Sequence, residues 1–222
     1  MKRLVIIVEG DAEESFVDTI LAPYFTSLGI YNSIQCFKIK QSKGGISRYA
    51  DFKRDIINTL YEKDVVVSTM LDFYRLPSNF PGMQQSTVSV THLQQVELIE
   101  EKMKEDIKAT LKSRYDNLIP YIQLHEFEAL VFSSIDGVDE LYEPSEYDRK
   151  AMLQVLAEYP NPEDINDRPD TAPSVRLKKL IPGYHKVQDG IYILKQHGMS
   201  TLLARCPHFQ SWVNKLKEAL RQ

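Results

Sequence analysis

Cysteine is scarce in this chain. Cys36 and Cys206 are its only two, and they lack the paired spacing of a metal site. They read as free thiols in a reducing cytoplasm rather than as a disulfide framework. The five histidines are scattered without a zinc pattern. Long apolar runs are missing too. The first, Leu4–Val8, is too short for a secretory leader, and none approaches the ~18 residues of a membrane span. No Gly-x-x-x-x-Gly-Lys-Ser/Thr occurs, so Lys43-Gly44-Gly45 is a turn and not a nucleotide loop. Neither a nucleophile elbow nor a Ser-His-Asp set is visible. Positive charge is not in excess: 27 Lys and Arg against 31 Asp and Glu give a net charge of −4. That balance argues against global attraction to nucleic acid, though not against a local basic surface.

What is present is an ordinary globular profile, 43% hydrophobic and 26% charged over 222 residues, enough for one large domain or a domain with an appendage. Arg3–Val8 (RLVIIV) is an apolar β-branched run, expected to be a strand buried on both faces. Asp11–Leu28 has helical spacing through Phe16, Ile20 and Phe25, with Gly29 where a helix ends. A short strand at Gln35–Ile39, a turn at 42–45 and a helix over Ile46–Tyr61 follow. Asp64–Leu71 is a second continuous apolar strand, 72–90 a long loop, Leu93–Tyr115 an amphipathic helix, Leu118–Leu124 a strand and His125–Phe132 the start of a helix. Strand and helix alternate, which predicts an α/β fold: a parallel sheet with helices on both faces over residues 1–135. Prolines at 144, 160, 162, 169 and 173 then break the rhythm. Residues 136–222 are expected to form a helical cap packed on the core. Its helices are expected at Ser145–Tyr159, with Ser145 as cap, in a segment that Arg176, Lys178 and Lys179 open, at Gly190–Lys195 and at Trp212–Leu220.

Ligands of parallel sheets bind beyond the carboxyl ends of the strands, and here those ends carry acids. Glu9 follows the first strand and Asp72 ends another, while Glu126 and Glu128 follow a third, beside His125. Gly10 lets the chain turn close to a ligand. Asp11, Glu13 and Glu14 suit a helix cap and first turn and need no other role. Converging carboxylates repel unless a cation joins them, and magnesium takes one or two carboxylates with water and phosphate completing its shell. Glu9 and Asp72 are therefore the expected metal ligands, for Mg2+ or Mn2+. His125 is a candidate general base or phosphate contact.

The stretches VEGDAEESFV and TMLDFY resemble the Toprim domain of topoisomerases, primases, recombination proteins and overcoming-lysogenization-defect nucleases. In that family a glutamate and a glycine follow the first strand, and a later strand ends in Asp-x-Asp. The resemblance implies magnesium and phosphodiester chemistry at Glu9, Gly10 and Asp72. Tyr74 stands where the second aspartate would be, and Glu126 or Glu128 would then supply the missing oxygen. LHEFEALVF, NPEDINDRPDTAPSVRL and CPHFQSWVNKL further resemble an uncharacterised bacterial Toprim-like family, domain of unknown function 4276.

Two stretches are basic: 36–54, with Lys38, Lys40, Lys43, Arg48, Lys53 and Arg54, and 171–186, with Arg176, Lys178, Lys179, His185 and Lys186. They suit an anionic ligand, with Arg176, Lys178, Lys179 and Lys186 as the phosphate contacts. Three readings follow. One is a magnesium-dependent nuclease acting on nucleic acid, in a bacterial defence or mobile-element system. A second is a non-catalytic Toprim-like subunit partnering an ATPase. The third, a phosphoacceptor domain, lacks a lysine after a fifth strand and ranks last.

Overall fold

Alternation along the first strand decides the architecture. In β1 (Arg3–Val8), Leu4, Ile6 and Val8 enter one hydrophobic cluster while Val5 and Ile7 enter another. A strand apolar on both faces must be covered on both. The computed structural model of the protein describes residues 2–39, 46, 48–85, 90–111, 115–165, 168 and 170–222. The expected turn at 42–45, with Lys40 and Lys43, lies outside them.

β1 is central. It pairs in parallel with β2 (Ile34–Lys38) on one side and β3 (Val65–Asp72) on the other, with Val8 level with Lys38 and Met70. β4 (Leu118–Ile119) and β5 (Ile122–Gln123) both pair in parallel with β3, giving the order β2-β1-β3-β4. The predicted parallel α/β sheet is thus the observed one. On one face lie α3 (Tyr49–Leu60) and α4 (His92–Leu111), which bury Phe52, Ile56, Ile99 and Met103 against Val5, Ile7 and Val67. On the other lies the helix after β1, built as α1 (Asp11–Phe16), a π turn over Val17–Leu21 and α2 (Ala22–Ser27). Pro23 at the start of α2 has no N–H for the α-helical bond, and the chain widens in the turn before it.

The C-terminal region completes that same face. It contains α5 (Asp136–Leu141), α6 (Arg149–Glu158), α7 (Pro173–Leu180), α8 (Gln188–Arg205) and α9 (Pro207–Arg221). Ile193, Leu202, Phe209 and Trp212 share one cluster with Leu4, Ile6 and Phe16. α6 starts later than the sequence suggests, because the Asp148 carboxylate, not Ser145, caps it by accepting from Ala151 N–H at 2.9 Å. α8 is kinked at Gly198 (φ +72°).

The last strand departs most from expectation. Leu118–Leu124 is interrupted at Pro120–Tyr121, because proline has no N–H to give a ladder. Side chains fill the gap. Thr69 Oγ1 donates to Tyr121 O and accepts from Tyr121 N–H, both at 2.9 Å. Ser68 Oγ donates to Ile119 O at 2.6 Å and accepts from Trp212 Nε1–H at 2.8 Å. Ile122 N–H reaches the Glu100 carboxylate at 2.8 Å. Ile119 O, Tyr121 N–H and C=O and Ile122 N–H are thereby paired at the break. His125–Phe132 is not an α-helix either. His125 sits in the left-handed region (φ +63°), and a 3-10 stretch runs over Phe127–Ser133.

Candidate functional site

The parallel register fixes the site. Val8 is level with Met70, so Glu9 leaves β1 beside Leu71 and Asp72. Asp72 is buried, and its Oδ1 accepts from Phe127 N–H at 2.8 Å, which draws the segment after β5 up to the end of β3. That segment delivers Glu128, also buried. Burial, then repulsion by Glu13, raises the Asp72 carboxyl well above the usual range; Lys186 opposes the rise, and Glu128 and Glu9 add to it. Glu9 is raised for the same reasons, burial first and Glu13 second, against Arg75, the Asp72 backbone N–H and Lys186. Glu128 is raised by burial, opposed by Lys186.

Four carboxylates therefore share this pocket: Glu9, Glu13, Asp72 and Glu128. Lys186 stands among them, with Nζ 3.2 Å from Glu128 Oε2 and 3.6 Å from Glu13 Oε1. Burial alone would push its ammonium down, but Glu128, Asp72 and Glu13 outweigh burial and hold it above the ordinary lysine range. Arg75 Nη1 lies 3.8 Å from Glu9 Oε1. If all are ionised, four negative charges face two positive ones. The Glu9 side chain is only 8% exposed, and among the described residues its Oε2 has no hydrogen-bond partner.

Glu13 was not expected here. Asp11 and Glu14 behave as helix-start acids and pair with Lys38 at the surface. Glu13 is buried, on the same face of the helix as Phe16, Val17 and Ile20, and that phase was its signal in the sequence. Gly10 also has a different reason than a tight turn. Its φ of −145° is open to any residue, but a Cβ there would lie 3.1 Å from Glu13 Oε2. Tyr184 is a further neighbour missed in the sequence. Glu128 is among the charges that raise its phenol, after burial, and among the described residues its hydroxyl has no hydrogen-bond partner.

The structure thus gathers Glu9, Asp72, Glu128 and Lys186 from three strand ends and the segment before α8. It uses the other predicted residues elsewhere. Glu126 accepts from Ser174 N–H at 2.9 Å, at the start of α7. His125 Nε2 is 3.3 Å from His92 Nδ1. Arg176 donates to Thr171 O at 2.7 Å and lies over the Tyr159 ring, and Lys179 donates to Asp170 O at 2.8 Å. Lys178 is exposed. Among the described residues no group of three or more His, Cys, Asp or Glu is placed to hold a metal ion, and no helix is long and apolar enough to cross a membrane.

No curated protein and no solved structure matches the chain. One family model does, described as Domain of unknown function (DUF4276), over residues 8–217. That is nearly the whole length, and the chain belongs to this family.

Proposed function

We propose that the strand-end pocket is a Toprim-like site at which Glu9 and Asp72 bind one Mg2+ or Mn2+ ion, and that the protein processes phosphodiesters as a nuclease. The observation that carries this reading is the charge imbalance: buried carboxyls at adjacent parallel strand ends, raised by burial and mutual repulsion, one with an oxygen lacking a hydrogen bond. A divalent ion removes that imbalance. The donor set suits magnesium, which takes one or two carboxylates and keeps water or phosphate in its other positions. It does not suit a closed structural cage. When bound, such an ion polarises a phosphoryl oxygen and lowers the pKa of attached water. The chain's own residues do the rest. Glu13 and Glu128 hold the Lys186 ammonium at the pocket, where it meets a phosphate oxygen. The Phe127 N–H fixes the orientation of Asp72 through Oδ1. Arg75 balances Glu9 until substrate arrives. Relation to the overcoming-lysogenization-defect nucleases, a place in bacterial defence and work in the cytoplasm belong to this same reading.

Tyr74 favours a second one. Where the resemblance expects a second aspartate the chain has a half-exposed phenol, which suits a non-catalytic subunit serving an ATPase. Calorimetric titration with Mn2+, together with cleavage assays on DNA and RNA, separates the two. The nuclease reading expects one ion per chain and cleavage abolished in Glu9→Gln. Ion binding with no cleavage of any polymer would leave the subunit; no ion binding would remove the metal site altogether.

A further inference from the structure

The proposed chemistry leaves one side chain at the rim of the pocket, Tyr74, unused. Immediately after Asp72 the chain makes a single 3-10 turn, Phe73–Arg75. The turn is braced. Tyr74 N–H donates to His125 O at 3.1 Å, Leu76 N–H to Phe73 O at 3.2 Å, and the Leu76 side chain is buried. Phe73 packs on His92 with centroids 5.9 Å apart, and His92 meets His125 edge-on at 4.7 Å. Tyr74 lies outside this packing. It is 46% exposed, and among the described residues its ring has no aromatic partner and its hydroxyl no hydrogen bond.

A single exposed aromatic is ordinary on a protein surface. This one is distinguished by its place. It stands two residues from a buried carboxylate of the pocket, on a hydrogen-bonded turn. It also precedes Arg75, whose side chain is 54% exposed with its guanidinium 3.8 Å from Glu9. An open aromatic face beside a cation is the combination that binds unpaired nucleotides: the base stacks on the ring and the phosphate meets the charge. A base inside a duplex is already stacked on both sides and gains nothing from such a ring. An acidic pocket repels a polyanion wherever its ion and Lys186 do not offset the charge, so a cation at the rim adds attraction.

We infer that Tyr74 is a stacking platform for an unpaired nucleobase next to the phosphodiester held at the Glu9–Asp72 site, and that the substrate is therefore single-stranded nucleic acid or the single-stranded part of a larger one. This rests on the phosphodiester reading above. The test measures anisotropy of the full chain with a labelled single strand and with the matching duplex, at low salt, with Ca2+ in place of Mg2+ to prevent cleavage. 2-Aminopurine in the single strand reports stacking by quenching. The wild type should prefer the single strand and quench the probe. Tyr74→Ala should weaken single-strand binding by roughly 5- to 150-fold and abolish quenching, with duplex binding and thermal unfolding unchanged. Tyr74→Trp should retain both signals. Equal affinity for the two polymers with no effect of Tyr74→Ala would overturn the platform and leave the phosphodiester site standing. Binding of neither polymer would overturn both. Tyr74→Ala changing only self-association or capture of a protein partner would reassign the ring to a protein interface and overturn the inference.

Discussion

Removing the pocket's internal cation is the most revealing perturbation. In Lys186→Met the methylene stem stays and the ammonium goes, leaving Glu13, Glu128, Asp72 and Glu9 opposed by Arg75 alone. Breaking a buried ion pair by deleting one partner costs about 3–5 kcal/mol. The Lys186 side chain is 35% exposed, so water shares in the solvation and a loss of roughly 1.5–3 kcal/mol is the better figure. For a chain of this size that lowers Tm by roughly 4–10 °C. The pH dependence distinguishes charge from packing. Glu9, Asp72 and Glu128 have raised pKa values when folded. Between the ordinary carboxylate range and those raised values the folded state binds more protons than the unfolded one, so stability falls as pH rises through that window. Without Lys186 the carboxyls rise further. The deficit of Lys186→Met should therefore be largest at about pH 7.5 and shrink toward about pH 5. Mn2+ should restore the variant more than it stabilises wild type. Urea and thermal melts followed by fluorescence of Trp212, the only tryptophan, measure all of this, with Lys186→Arg as the charge-conserving control. A deficit that is the same at both pH values and indifferent to Mn2+ would show that Lys186 acts through its stem, and the account of the pocket as charge-frustrated would be wrong.

Asp72→Asn keeps an oxygen to accept from Phe127 N–H while deleting a buried charge, so in metal-free buffer it should melt roughly 2–4 °C above wild type, about 1 kcal/mol, yet lose Mn2+ binding in calorimetry. Thr69→Val is nearly isosteric but leaves Tyr121 N–H and C=O unpaired in the core. It should cost about 1–3 kcal/mol in urea melts and speed amide exchange at Tyr121. Gly190→Ala would place a Cβ 2.6 Å from the Tyr184 hydroxyl and should cost about 1–3 kcal/mol. Adding Tyr184→Phe should recover at least about 0.5 kcal/mol of that in a double-mutant cycle; strict additivity would mean the two residues do not meet.

The sheet was legible because its evidence is local. Leu4–Val8 and Val65–Val67 are unbroken apolar runs, which suit a strand covered on both faces, and the helical spacings between the strands call for parallel crossovers. Glu9 and Asp72 were legible for the same reason: strand ends in a parallel sheet converge. The limits were also physical. Pro120 announced trouble in the last strand, but the repair by Thr69, Ser68 and Glu100 depends on side chains from other elements. Glu13 was hidden by its chemistry, since an acid in a first helical turn has a sufficient local explanation, and only its phase with Phe16 and Ile20 spoke for burial. Lys186 looked like part of a basic surface because its partners, Glu13 and Glu128, are far away in sequence. Arg176 and Lys179 looked free because the carbonyls they bind, Thr171 O and Asp170 O, belong to backbone that any sequence has.

The broken strand also sets an order of events in time. Ser68 receives its hydrogen bond from Trp212, and Asn32 Nδ2 joins Lys2 O at 2.7 Å to Leu220 O at 3.2 Å. During synthesis, at roughly 5–20 residues per second, β1, β3 and their acids emerge well before α9 and before Lys186. A nascent chain must carry a half-finished sheet and an unbalanced acidic cluster for several seconds, with the apolar face that α8 and α9 will cover still open. This interval, more than the finished fold, is when such a chain is exposed to aggregation and to chaperones, and the pocket closes around its lysine only after the segment carrying it has been made.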